Sequence, residues 1–221
     1  MALVACERSG RVRSALRDAG VDAWSCDLVP ADDGSPHHIV GDALTLLDDG
    51  WDLLVAHPPC TYLTMLATPC LDETCIHTPP YRSPHGALRR QLCIDAAVFF
   101  RRLLDAEQIP MRAVENPQPH AMAHRLMGQH QGTSQPWHHG DPWQKRTWWW
   151  LRGLQPLTPT RVVEPRAYLV GGAQRRDADR PGWTRITNGS SLHDTSRIRS
   201  ETSPGTARAI AAQWTSASAL F

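Results

Sequence analysis

The chain of 221 residues, 24.6 kDa, is the size of one generous α/β domain and too short for two full-sized ones. Apolar residues make up 41% and charged residues 20%, and no window approaches the ~18 consecutive apolar residues of a membrane span, which excludes a membrane protein. The net charge of +1 conceals a gradient: residues 1–60 hold ten acids against four bases and residues 120–221 thirteen bases against six acids, so the first part suits a neutral or cationic small molecule and the last a polyanion.

The start, Met1-Ala2-Leu3-Val4-Ala5-Cys6-Glu7, lacks a basic region leading into an apolar stretch, so no secretory signal is expected and the chain is expected to work in a cytoplasm. In that reducing compartment the cysteines (Cys6, Cys26, Cys60, Cys70, Cys75, Cys93), which show no framework spacing, are expected as thiols, metal ligands or a nucleophile rather than disulfides. Residues 3–6 predict a strand, 11–18 a helix, 23–26 a second strand, and 51–56 (Trp-Asp-Leu-Leu-Val-Ala) a buried strand stopped by Pro58-Pro59. Strand, helix and strand at this spacing predict an α/β fold on a mostly parallel sheet with crossover helices. Residues 61–85, rich in Pro, Cys and His, have no usable period and predict a long loop. Over 87–106 the stripe Leu88, Leu92, Ala96, Phe99 and Leu103, with arginines opposite, predicts the best helix of the chain. A short strand follows at 112–115, ending at Asn116-Pro117, then a helix over 119–127 ending at Gly128, and an aromatic strand over 146–151. Residues 153–199, dominated by Pro, Gly and Arg, predict irregular structure with a weak strand or two. Ser203 as cap and Pro204 in the first turn open a last helix through Trp214.

The sharpest local signal is His57-Pro58-Pro59-Cys60-Thr61, directly after the buried strand. Ligands of open parallel sheets bind beyond the carboxyl ends of the strands. Cys60, on a proline-stiffened loop there, is a candidate nucleophile, against the plainer reading of a small buried hydrophobe. Glu115-Asn116-Pro117 ends a later strand and sets a carboxylate at the same edge, against the plainer reading of a helix-capping acid. Two reactive groups at strand ends can converge on one substrate. Of 23 basic residues only Lys145 is a lysine; arginine forks grip phosphate, and a GC-rich gene gives the same bias. Cys70, Cys75, His77 and His85 have a spacing, Cys-x4-Cys-x-His, that fits no common zinc module, so no metal is assigned.

Taken in order, Pro58-Pro59-Cys60, Glu115-Asn116-Pro117 and Gln144-x-Arg146 ahead of an aromatic strand resemble the motifs of DNA cytosine-5 methyltransferases. Val4-Ala5-Cys6-Glu7 and Pro58-Pro59-Cys60-Thr61 are similar to those of the short phage- and prophage-type members. The resemblance implies a Rossmann-like class I methyltransferase fold, a mostly parallel sheet with helices on both faces and a small irregular insert, in a bacterial or phage-infected cytoplasm. It implies transfer of a methyl or related group from S-adenosylmethionine to carbon-5 of cytosine in DNA. That carbon is too electron-poor to attack a sulfonium methyl, so the thiolate, Cys60, first adds to carbon-6. Glu115 is implied as the acid at ring nitrogen 3, and Arg146, with Lys145 as second choice, as the cation near the pyrimidine carbonyl. Trp148 stands where the family has a second arginine. Cys6, Glu7, Ser9 and Gly10 occupy the place of the family's glycine loop, with Asp27 implied at the ribose, Asp42 at the adenine amino group or as a turn residue, and Pro58 and Thr202 as further donor contacts. Pro59 and Asn116 are implied on the substrate side. Glu201-Thr202-Ser203-Pro204 stands for the family's Asn-Ser-x-Pro, and the glutamate leaves an unusual sulfonium donor open.

On this reading residues 1–152 form the catalytic core with cofactor pocket and nucleophile loop, and 153–199 a reduced Arg-rich insert in place of a full target-recognition domain. Residues 200–221 form a helix returning to the core. Arg161, Arg166, Arg175, Arg176, Arg180 and Arg185 suit phosphate contacts, which position a protein without reading sequence, Arg175 and Arg176 foremost. Little or short sequence specificity is therefore expected, on a flipped or single-stranded cytosine. Two other readings stay open: modification of a free pyrimidine nucleotide such as dCMP, which the missing recognition domain favours, and a catalytically inactive DNA-binding protein, against which the pairing of Cys60 with Glu115 speaks. Oligomeric state and target context are not legible in the sequence.

Overall fold

The computed structural model describes residues 1–73, 84–169, 184–186 and 200–215, and sets β1 (Ala2–Ala5) in mid-sheet. All four residues of β1 are buried, as a parallel strand covered on both faces requires. After α1 (Arg11–Asp18) come β2 (Ala23–Asp27), β3 (His38–Val40) and β4 (Leu53–Ala56), then α2 (Gly86–Leu104), β5 (Met111–Pro117), α3 (Ala121–Met127) and β6 (Gly132–Ser134). The chain continues through β7 (Trp143–Gln144), β8 (Thr147–Arg152), β9 (Ala167–Leu169), β10 (Thr184–Ile186) and α4 (Pro204–Trp214).

Seven strands of the described residues form one sheet in the order β3-β2-β1-β4-β5-β8-β6. β1, β2, β3, β4 and β5 run parallel, and β8 runs antiparallel to its neighbours β5 and β6. This order, with a reversed strand inserted next to the edge, is the Rossmann-like class I methyltransferase fold. Alternation along the strands builds a core on each face. Leu3, Ala5, Leu54, Val114 and Trp150 pack under α2 and α3, whereas Ala2, Val4, Val55, Ala113 and Trp149 pack under α1 and α4. A second sheet joins β7 to β9 and β10, so it draws strands from either side of residue 152. Among the described residues no helix is long and apolar enough to cross a membrane.

The helix expected over 87–106 is present, but its buried face is shifted by one residue. Arg89, Cys93, Ala97 and Phe100 face the core, and Leu88 is exposed. The cause is Arg89, whose guanidinium lies 4.6 Å from the centre of the Tyr62 ring and donates to the Thr61 carbonyl at 2.9 Å, so a charged residue takes the inner stripe. Within the segment expected as a loop, Met65–Leu71 forms a 3-10 helix.

Candidate active site

Register fixes what meets at the carboxyl edge. Ala5 pairs with both Cys26 and Ala56, and Ala56 pairs with Val114. The next residues along these strands, Cys6, Asp27, His57 and Glu115, therefore stand one step beyond a single rung. The chain runs from β1 outward through β2 to β3, and from β4 the other way to β5, so the crevice of the topological switch lies between β1 and β4.

On the β1 and β2 side, Cys6 is in the left-handed region at φ 56, a turn that costs a non-glycine residue of order 1 kcal/mol or more and is a mark of functional sites. Burial, then the neighbouring charges of Asp27, Cys26 and Asp42, push its thiol up to about 12. Burial and the same two carboxylates push Cys26 up to about 11. Cys6, Asp27 and Asp42 are thus brought together. Asp27 accepts from the Val29 N–H at 3.3 Å, and Asp42 from the Leu44 N–H at 2.9 Å, capping a 3-10 turn; each carboxylate has further lone pairs able to accept. Glu7 points elsewhere: it is buried and accepts from the Val12 and Arg13 N–H groups at 2.6 and 3.1 Å, supplying the cap that Gly10, at φ 68, cannot. A Cβ at Gly10 would collide with the buried Arg13 guanidinium. Ser9 Oγ accepts from the Arg11 N–H at 3.5 Å.

On the β4 and β5 side, His57 Nδ1 lies 3.6 Å from Glu115 Oε1, with side chains 7% and 12% exposed. These two residues, with Lys145, Thr147, Trp149, Thr202, Ser203 and Thr206, wall a small cavity of about 10 Å³, room for about one water. Lys145 also donates to the Glu201 carbonyl at 2.7 Å. Arg146 is exposed, and Lys145 is the cation that shares the cavity with Glu115.

The Cys60 turn is stapled to the chain just past Glu115. Leu63 and Thr64 N–H groups donate to the Cys60 carbonyl at 3.0 and 3.2 Å, Met65 N–H to the Gln118 carbonyl at 3.0 Å, and His120 N–H to the Leu63 carbonyl at 3.0 Å. The His120 ring adds a link, its Nε2 3.0 Å from the Tyr62 carbonyl while Nδ1 accepts from the Ala123 N–H at 3.2 Å. Burial lowers its pKa, which suits this neutral Nε2–H form. Cys60 is half-buried, Pro58 buried and Pro59 exposed. Asn116 is fully buried and donates to the Pro117 carbonyl, holding the strand end.

Glu201 has a structural explanation. Its Oε2 accepts from Arg11 Nε and Nη2 at 3.1 and 2.8 Å, which ties the segment before α4 to the start of α1. Asp141 Oδ2 accepts from the Gly205 N–H at 2.6 Å, and Ser203 Oγ caps α4 through the Thr206 N–H. Sequence reasoning missed His57, Arg89, His120 and Asp141 as site-building residues. His57 and His120 had a signal, since both border a proline-marked strand end; Arg89 and Asp141 had none. Cys75, His77, Arg175, Arg176 and Arg180 lie outside the described residues, as does the side chain of Arg185.

No family model matches the chain, and no curated protein sequence does. Among solved structures it is similar to an E. coli protein described as a DNA modification methyltransferase encoded within a prophage, at 14% identity and TM-score 0.44, over 74% of this chain and 51% of that one. It is also similar to a triple mutant of Spodoptera frugiperda DNMT2, at 12% identity and TM-score 0.40, over 75% of this chain and 57% of that one. The chain thus matches little more than half the length of these structures, and the fold assignment rests on the strand order and register given above.

Proposed function

We propose that this chain is a DNA cytosine-5 methyltransferase that uses S-adenosylmethionine and forms a covalent Cys60 adduct with the base. One observation carries the reading: β4 and β5 are register-matched neighbours, and the turn holding Cys60 is bonded backbone to backbone onto the segment after Glu115. These bonds support reading a thiol and a carboxyl that the sequence separates by 55 positions as groups at one edge of one crevice. Cys6, Asp27 and Asp42, gathered at the neighbouring strand ends, fit the donor: carboxylates for ribose hydroxyls and an adenine amino group beside a half-buried turn. When bound, the donor supplies an electrophilic methyl carbon.

The chain's own residues do the rest. The Cys60 sulfur bonds to carbon-6, the carbon-5 to carbon-6 π pair shifts into the ring, and Glu115 passes its proton to nitrogen 3, so carbon-5 becomes nucleophilic. After methyl transfer a proton leaves carbon-5 to water, sulfur departs, and the nitrogen 3 proton returns to Glu115. Lys145, walling the cavity with Glu115, is a cation on the carboxyl side of this chemistry, and Arg146 is available on the exposed side for phosphate. Residues 153–199 are proposed as a reduced, phosphate-gripping insert, and Glu201-Thr202-Ser203 as the closing wall of the pocket.

Duplex or single-stranded DNA carrying 5-fluorocytosine, incubated with donor, should give a denaturant-resistant complex that Cys60→Ala abolishes. Glu115→Gln should slow its formation by about two decades. A complex that persists in Cys60→Ala, or a wild-type protein that forms none on DNA, refutes the proposal; modification of dCMP alone would establish the free-nucleotide alternative.

A further inference from the structure

His57 belongs to no step described so far, yet its place is unusual. It continues β4, its backbone N–H donating to the Ala5 carbonyl of β1 at 2.9 Å, and Pro58 confines it to extended backbone. Its ring is thus held in a fixed direction, on the same face as Glu115, edge-on to Trp149 with ring centres 6.3 Å apart. Both ring nitrogens are buried without a hydrogen-bond partner. Leaving such groups unsatisfied is costly, and native interiors rarely keep them without a reason.

The groups around the ring supply one. Glu115 faces Nδ1 from β5, at 3.6 Å to Oε1. Glu7 stands on the β1 side, its buried carboxyl within electrostatic reach of His57. Lys145, Thr202, Ser203 and Thr206 face the shared cavity from the β8 and α4 sides. Glu7 is engaged with the α1 amides. Glu115 is the neighbour within reach, and the separation is one that closure on a substrate shortens into a hydrogen bond.

We propose that His57 is a positioning residue for Glu115, donating from Nδ1 to Oε1 so that the transferable proton of the acid resides on Oε2, the oxygen presented to the base. The inference rests on Glu115 being the ring acid. A carboxylic acid carries its proton on either oxygen, and an N–H directed at one of them makes that oxygen the acceptor. When the proton passes from Oε2 to ring nitrogen 3, the same N–H stabilises the carboxylate left behind. When sulfur departs, the proton returns to Oε2. No proton leaves His57, so the device works with the neutral Nδ1–H imidazole and with the imidazolium.

The test is a double-mutant cycle in steady-state methylation of DNA with S-adenosylmethionine. His57→Phe keeps a ring and removes both nitrogens; it should lower kcat about tenfold, in the range of coupling between contacting groups, with KM for DNA and donor unchanged. His57→Gln, which retains an N–H, should recover part of the loss. In a Glu115→Gln background neither should cost anything further. A wild-type kcat in His57→Phe, or the same loss with and without Glu115, overturns the proposal while leaving the methyltransferase reading intact. If His57→Phe does not fold, the cycle on His57→Gln decides in the same way. A wild-type protein that neither methylates DNA nor forms the fluorocytosine adduct fails the function, and this proposal with it.

Discussion

Treating the folded protein at pH 8 with a water-soluble aromatic disulfide should leave Cys6 and Cys26 unmodified long after an ordinary thiol has reacted. With its thiol pushed up to about 12, Cys6 is thiolate in about one molecule in ten thousand at that pH, against about one in four for an ordinary thiol near 8.5. The greater nucleophilicity of the more basic thiolate, with a slope of about 0.4–0.5 over about 3.5 pH units, returns a factor of about 25–60. Cys6 should therefore exchange about 40–100 times more slowly than an ordinary thiol, before any steric protection is added. For Cys26, at about 11, the same reasoning gives about 15–25-fold. Asp27→Asn removes a charge that disfavours both thiolates, so it should speed exchange at Cys6 and Cys26 together. Each site is read by peptide mass mapping against time, with urea-unfolded protein as the reference in which the cysteines react alike. Cys6 reacting at the unfolded rate, or indifferent to Asp27→Asn, would mean that these residues do not share a crevice.

Trp214→Ala should cost about 3–5 kcal/mol. Trp214 is 1% exposed, meets Trp149 edge to face at 5.2 Å and donates to the Gln155 carbonyl at 3.0 Å; a shift in the urea midpoint worth less than about 1 kcal/mol would show that α4 is not docked on this core. Glu7→Gln should flatten a pH dependence. Burial raises the Glu7 proton affinity in the folded protein beyond what His57 and the Val12 and Arg13 amides take back, so the stability this carboxyl contributes is present at low pH and lost as pH rises through its folded value. Wild-type stability minus that of Glu7→Gln should fall as pH rises above the ordinary carboxylate range in denaturant titrations; a difference that grows with pH would refute the burial argument.

The long elements were legible because periodicity and caps agreed. The helices at Arg11–Asp18 and Pro204–Trp214 lie where spacing and the Ser203-Pro204 start signal set them. Strands β3, β6 and β7 have two or three residues each, shorter than any pattern of alternation needs, and sequence reasoning assigned none of them. The face of α2 was misjudged because cation–π stacking on Tyr62 lets Arg89 displace a leucine from the inner stripe. At the site, the prolines that stop β4 and β5 marked Cys60 and Glu115 as strand-end groups. Alternation places residues 145, 147 and 149 on one face, and Lys145, Thr147 and Trp149 all wall the cavity beside Glu115 while Arg146 is exposed. His57 was passed over because the prolines that mark its strand end drew attention to Cys60; its place beside Glu115 comes from the pairing of Ala56 with Val114, a fact of register.

The closing helix joins the stability of the core to the shape of the proposed site. α4 packs on α1 and covers the core that includes Trp149, while the residues at its start, Thr202, Ser203 and Thr206, wall the cavity of His57 and Glu115. Three tethers fix that start in place: Arg11 on the Glu201 carboxylate, Lys145 on the Glu201 carbonyl and Asp141 on the Gly205 amide. A Cβ at Gly205 would strike the His139 carbonyl, so the approach is as close as the backbone allows. The exposed Arg11 contributes little stability through its ion pair, at most about 1 kcal/mol, but it joins the start of α1 to the segment before α4. Loss of activity in an α4 variant is therefore a catalytic result only when donor binding and the urea midpoint are unchanged, whereas changes at Cys60, on a half-buried turn outside both cores, separate chemistry from folding directly.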